Sequence, residues 1–123
     1  MTLKETLDRS VQKHGERVLM TFKRDDAWQN LTYREFLANV RNIAEAMARA
    51  CHVRPETRVA LIGANSPEWC AIYYAITGLG ATAVPIDVKL QEQEISYILA
   101  DSGASVLFMD FAAEARVLDV ANR

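Results

Sequence analysis

The chain has 123 residues, half of them hydrophobic and 24% charged, which suits one soluble globular domain that buries a core without metals or disulfides. Its formal net charge is −2 and its Lys and Arg residues are scattered, which removes the electrostatic argument for nucleic acid or an anionic membrane as partner. No apolar run approaches the ~20 residues that cross a bilayer, so no membrane span is expected.

The first residues, Met1 to Leu19, are polar and charged, unlike a secretory signal, and a cytoplasmic protein is expected. Leu3, Leu7 and Val11 recur every four residues and predict a short helix from Leu3 to His14, with Gly15 just past its end. Arg17 to Lys23 alternates with period two, placing Val18, Met20 and Phe22 on one side. Arg24-Asp25-Asp26 reads as a turn and Ala27 to Leu31 as the return strand of a hairpin.

Thr32-Tyr33-Arg34-Glu35 has the form of a capping box, in which the threonine oxygen takes a first-turn amide and the glutamate reaches back. Behind it Phe36, Leu37, Val40, Ile43, Ala44, Met47, Ala48 and Cys51 follow a three-and-four spacing, one buried stripe of a long helix. Asn39, Arg41, Asn42, Glu45 and Arg49 fall on the opposite face.

Arg58 to Ile62 is a short apolar strand, and Gly63-Ala64-Asn65 turns the chain. Ser66 as N-cap, Pro67 at the first helical position and Glu68 near the positive dipole end open a second helix. This helix is nearly all apolar from Trp69 to Ile76, so cover is expected on both its sides, and Gly78 and Gly80 end it. Ala81 to Ile86 is a second buried strand, followed by the loop Asp87-Val88-Lys89-Leu90. Gln91 to Ala100 forms a helix with Ile95, Ile98 and Leu99 inward, Gly103 closes it, and Ser105 to Met109 is a third strand. Ala112 to Asn122 is helical in pattern.

Strand, helix, strand, helix and strand joined by short connections predict right-handed crossovers and a mainly parallel sheet. The fold class is α/β, a three-layer sandwich preceded by a β-hairpin and a long amphipathic helix. The units are 1–31 for helix and hairpin, 32–52 for the long helix, 58–110 for the parallel βαβαβ unit and 111–123 for the start of a further helix. Ligands of such sheets bind beyond the carboxyl ends of the strands, which directs attention to Gly63–Ser66, Asp87–Leu90 and the region of Asp110.

Familiar chemistries are missing from these loops. Gly78-Leu79-Gly80-Ala81-Thr82-Ala83 matches the dinucleotide fingerprint as a string but leaves a helix and enters a strand, the reverse of what phosphate binding at helix amides requires. No Gly-rich loop carries the Lys and Ser/Thr that grip a triphosphate. Asp87 follows a strand as a phospho-accepting aspartate would, yet the preceding strand ends in Gly63-Ala64-Asn65-Ser66 without the acidic pair that holds magnesium, so Asp87 reads as a turn former. Ser66 and Ser102 lie outside any Gly-x-Ser-x-Gly elbow. Cys51 and Cys70 have no metal-ligand spacing, and His52 beside Cys51 makes one pair only, so two reduced thiols and no metal site are expected. Trp69, Tyr73 and Tyr74 share one helix and serve core packing, or else contact a neighbouring region or a substrate tunnel. No residue is assigned a catalytic role.

The order of segments resembles the adenylate-forming superfamily of acyl-CoA synthetases, luciferases and nonribosomal adenylation domains. Leu31-Thr32-Tyr33-Arg34-Glu35-Phe36 is similar to its "LTYxEL" opening. Arg58–Ile62 with Asn65-Ser66-Pro67-Glu68-Trp69 is similar to "DRVAIxxxNSPEW", Gly80–Asp87 to "GAVxVPLNP", and Glu94–Ala104 to "ELxYILxDSGA". The four stand in order across Leu3 to Met109, and "NSPEW" and the Val88–Leu90 loop lean toward fatty acyl-CoA ligases.

The resemblance implies a ligase in which a carboxylic acid attacks ATP, with Mg2+, and the CoA thiol then displaces AMP. It implies that these residues are the N-terminal subdomain of a longer enzyme, inactive alone, since the phosphate loop and the C-terminal lysine of the family are not among them. It places Lys89 near the phosphates of CoA, where some ligases carry a basic residue. Here Val88 replaces the family-like Pro and Lys the Arg, so a bidentate grip is lost, and a plain solvated lysine is the other reading. A subdomain without its neighbour leaves apolar surface open, so homo-oligomers are expected. Two further readings remain from the residues: a stand-alone α/β interaction domain and a flavodoxin-like nucleotide-binding module.

Overall fold

The computed structural model describes residues 2–110; the predicted helix over Ala112–Asn122 lies outside them. The elements are α1 (Leu3–His14), β1 (Val18–Arg24), β2 (Ala27–Thr32), α2 (Tyr33–Ala50), β3 (Arg58–Ile62), α3 (Pro67–Gly78), β4 (Thr82–Ile86), α4 (Glu92–Ser102) and β5 (Val106–Met109).

Local chemistry explains the starts of the helices. Thr32 Oγ1 accepts the Glu35 N–H at 3.1 Å while Glu35 accepts the Thr32 N–H at 2.9 Å, the box read from the sequence. Thr2 and Glu5 form a second box on α1. Gly15 ends α1 for a different reason than expected. Its φ is −50°, so no left-handed turn is involved, but an added Cβ would lie 2.8 Å from the Val11 carbonyl oxygen and collide with the Arg34 guanidinium. Gly103, by contrast, ends α4 at φ 71°, the conformation that favours glycine.

β1 and β2 pair antiparallel across a two-residue turn in which Asp25 and Asp26 both have positive φ, so Arg24 belongs to the strand rather than to the turn. The register shifts between Val18 and Met20, a bulge that breaks the expected alternation. Met20 and Phe22 are half-buried, but Val18 turns out to solvent.

The three parallel strands lie in the order β4-β3-β5. Successive residues of central β3 serve opposite faces. Val59 joins a core built from α1, α2 and α3, with Leu7, Phe36, Met47 and Ile76. Ala60 and Ile62 join a smaller core with Ile86 and Ile95, roofed by α4. The molecule is therefore a three-layer α/β/α sandwich with the hairpin as a separate two-stranded sheet. The second strand differs from its expected burial: β4 is an edge strand among the described residues, with Ile86 alone fully buried, and Pro85, which has no N–H to donate, is tolerated there. α3 packs against α1, α2, β3 and β4, and no residue from Trp69 to Ile76 is exposed. Ala71, Ala75 and Ile76 are buried, while Trp69, Ile72 and Tyr73 are half-buried, Ile72 against the core.

Candidate functional site

Parallel register brings the carboxyl ends of β3, β4 and β5 together, since Ile62 pairs with both Ile86 and Met109. The three loops singled out from the sequence emerge side by side. Between Gly63–Asn65 with Trp69 on one wall and Ile86–Lys89 on the other lies an open cleft of ≈ 560 Å³. A smaller hollow of ≈ 180 Å³ lies on the other flank of the same loop, toward Phe108 and Asp110.

Each wall is shaped by short hydrogen bonds. Ser66 Oγ accepts the Trp69 N–H at 3.0 Å, which starts α3 and sets the indole over the cleft. Trp69 stacks on Tyr73 at 5.6 Å between ring centroids, whereas Tyr74 meets Phe36 edge-on at 5.6 Å in the core. The aromatic cluster thus splits, with one ring on the cleft and one in the core. On the facing wall, Asp87 Oδ1 accepts the Lys89 N–H at 2.8 Å and the Asp87 carbonyl accepts the Leu90 N–H at 3.2 Å. Asp87 is the turn former expected of it, and this turn presents Lys89, an exposed side chain bordering the cleft.

The discarded motifs occupy structural positions. Gly78 is the last residue of α3 and Gly80, at φ 77°, leads into β4, so that glycine string does run from helix to strand. Ser102 Oγ accepts the Ala104 N–H at 3.3 Å at the end of α4. Cys51 and Cys70 are free thiols, and burial pushes the Cys70 thiol up from its ordinary range, away from the thiolate a nucleophile needs. No group of three or more His, Cys, Asp or Glu side chains among the described residues could hold a metal ion. No helix among them is long and apolar enough to cross a membrane.

Two ties escaped sequence reasoning because they join distant segments. Asp110 Oδ2 accepts the Ala64 N–H at 2.9 Å, and Arg24 pairs with Glu68 at 2.6 Å, fastening the hairpin tip to the first turn of α3.

Residues 7–122 match the family described as AMP-binding enzyme. The chain belongs to that family. Among its AMP-binding relatives, the long-chain-fatty-acid–CoA ligase FadD13 of Mycobacterium tuberculosis is 38% identical over 89 residues, which cover 72% of this chain and 17% of that protein. A plipastatin synthase polypeptide of Bacillus subtilis is 35% identical over 112 residues, 90% of this chain and 3% of that protein. The crystallised N-terminal domain of FACL13 from Mycobacterium tuberculosis superposes with a TM-score of 0.84 at 27% identity, covering 98% of this chain and 29% of that one. The chain therefore spans about a sixth of the length of the ligase it matches. Membership supports the ligase-subdomain reading of the sequence over the interaction-domain and flavodoxin-like readings.

Proposed function

We propose that this AMP-binding chain is the N-terminal subdomain of an AMP-forming acyl-CoA ligase. In that reaction a carboxylate oxygen attacks the α-phosphorus of ATP and pyrophosphate leaves. The CoA sulfur then attacks the acyl carbon, AMP leaves and the thiol proton passes to solvent. The observation that carries the reading is the likeness of nearly the whole chain to the N-terminal domain of FACL13, joined to its identity with FadD13. The plipastatin synthase match favours an amino-acid-activating domain as the second reading.

What the chain's own residues can contribute is limited. The described residues offer neither a carboxylate cluster for Mg2+ nor a Gly-rich phosphate loop. Lys89 does fit one role. It borders the cleft on a turn fixed by Asp87, and an ammonium there can act as a point charge toward a CoA phosphate. The carboxylic acid substrate is a small molecule, the protein is cytoplasmic, and the exposed Val18 and Trp28 of the hairpin are surfaces for self-association of the isolated chain.

The test uses the protein that carries this chain: pyrophosphate exchange into ATP that depends on a carboxylic acid, followed by CoA-dependent release of AMP. Exchange without any use of CoA would favour the second reading. Lys89→Ala should raise the KM for CoA and leave exchange intact. An unchanged KM would remove Lys89 from the site and leave the ligase assignment standing.

A further inference from the structure

The two walls of the cleft are built differently. The Asp87–Leu90 wall carries its own turn, closed by Asp87 within three residues. The Gly63–Asn65 wall has none. Among the described residues its one hydrogen bond comes from a residue 46 positions away, the Asp110 carboxylate on the Ala64 N–H. The geometry behind that bond is the sheet itself. The Asp110 N–H donates to the Ile62 carbonyl at 3.2 Å, continuing the β3–β5 ladder one residue beyond Met109, and so delivers the carboxylate to the loop that leaves β3. Gly63 lies where the two meet: a Cβ built on it would sit 3.4 Å from Asp110 Oδ2 and 3.6 Å from Trp69 Cδ1.

We propose that Asp110 is a positioning residue of the cleft, whose carboxylate holds the β3–α3 loop against Trp69 and so fixes the wall that faces Lys89. Among the described residues this bond alone holds the Ala64 amide, so cutting it loosens the loop and leaves the amide to water. The role needs an acceptor at the right place and not a negative charge, which makes Asn a conservative replacement. Only the kinetic consequence rests on the acyl-CoA ligase reading.

The experiment has two arms. In this chain, on a Trp28→Phe background that leaves Trp69 as the single tryptophan, Asp110→Ala should speed amide exchange at Ala64 about tenfold and increase acrylamide quenching of Trp69. Asp110→Asn should keep both near the parent values. If Asp110→Ala does not fold, Asp110→Ser, too short to reach Ala64, is read in its place. Unchanged exchange in a folded Ala or Ser variant overturns the clamp, and so does an Asn variant as loose as Ala. In the protein carrying this chain, Asp110→Ala should raise the KM for CoA several-fold with kcat little changed, and Asn should restore it. Loosened exchange with unaltered KM overturns the positioning role while the ligase reading stands. A parent protein that forms no thioester defeats the ligase reading, and the exchange measurement still decides the clamp.

Discussion

Replacing Ile95 by Ala asks directly whether α4 seals the second face of the sheet. Ile95 is fully buried and packs with Ala60, Ile62 and Ile86, directly beneath the strand ends that carry the cleft loops. Truncation removes three carbons, worth about 2.4 kcal/mol at about 0.8 kcal/mol each. A void of roughly 50 Å³ left unrelaxed adds about 1.2 kcal/mol at about 24 cal/mol per Å³. The expected loss is therefore about 3–4 kcal/mol, a large share of the roughly 5–15 kcal/mol that holds a domain of this size together. Urea unfolding followed by far-ultraviolet circular dichroism should show a lower midpoint at unchanged slope. Tyr97→Ala is the control on the same helix. Its side chain is 68% exposed, and the change should stay within about 0.5 kcal/mol. If Ile95→Ala costs no more than Tyr97→Ala, the second core is not built as described.

Two further outcomes follow from the helix starts. Ser66→Ala removes the N-cap of α3 and should cost about 1 kcal/mol, whereas Ser66→Asp should retain most of it, measured by the same unfolding assay. Glu35 is held below the usual carboxylate range, first by the Thr32 N–H and then by the Thr32 hydroxyl. A carboxylate lowered in the folded state stabilises above its unfolded pKa, and the contribution fades as pH falls through the folded value. The Tm advantage of the parent over Glu35→Gln should therefore be present near neutrality and shrink on acidification; an advantage constant with pH would contradict the capping box.

What could be read from the sequence was local. The α2 box spans Thr32 to Glu35 and the α3 cap spans Ser66 to Trp69, so each is written within one turn of chain. The buried stripe of α2 was equally legible, since Phe36, Leu37, Val40 and Met47 lie on one side at helical spacing. The bulge at Val18 was not, because alternation of apolar residues carries no sign of an inserted residue until a partner strand fixes the register. The burial of β4 was overestimated for a related reason: composition shows what a segment could bury and not what lies beside it, and among the described residues β4 is an edge strand. In the site, the Asp87 turn and the nearby Lys89 were visible as neighbours in sequence. The Asp110–Ala64 bond was not, since only the β3–β5 pairing brings those residues together.

The most direct measurement is mass-spectrometric detection of acyl-CoA after incubation of ATP, Mg2+, CoA and a panel of carboxylic acids, with the protein that carries this chain and with the 123 residues alone. The expected result is a thioester, with AMP and pyrophosphate in equal amounts, from the former and none from the latter. Acyl-adenylate made by the 123 residues unaided, or no thioester from the protein that carries them with any acid, would contradict the account.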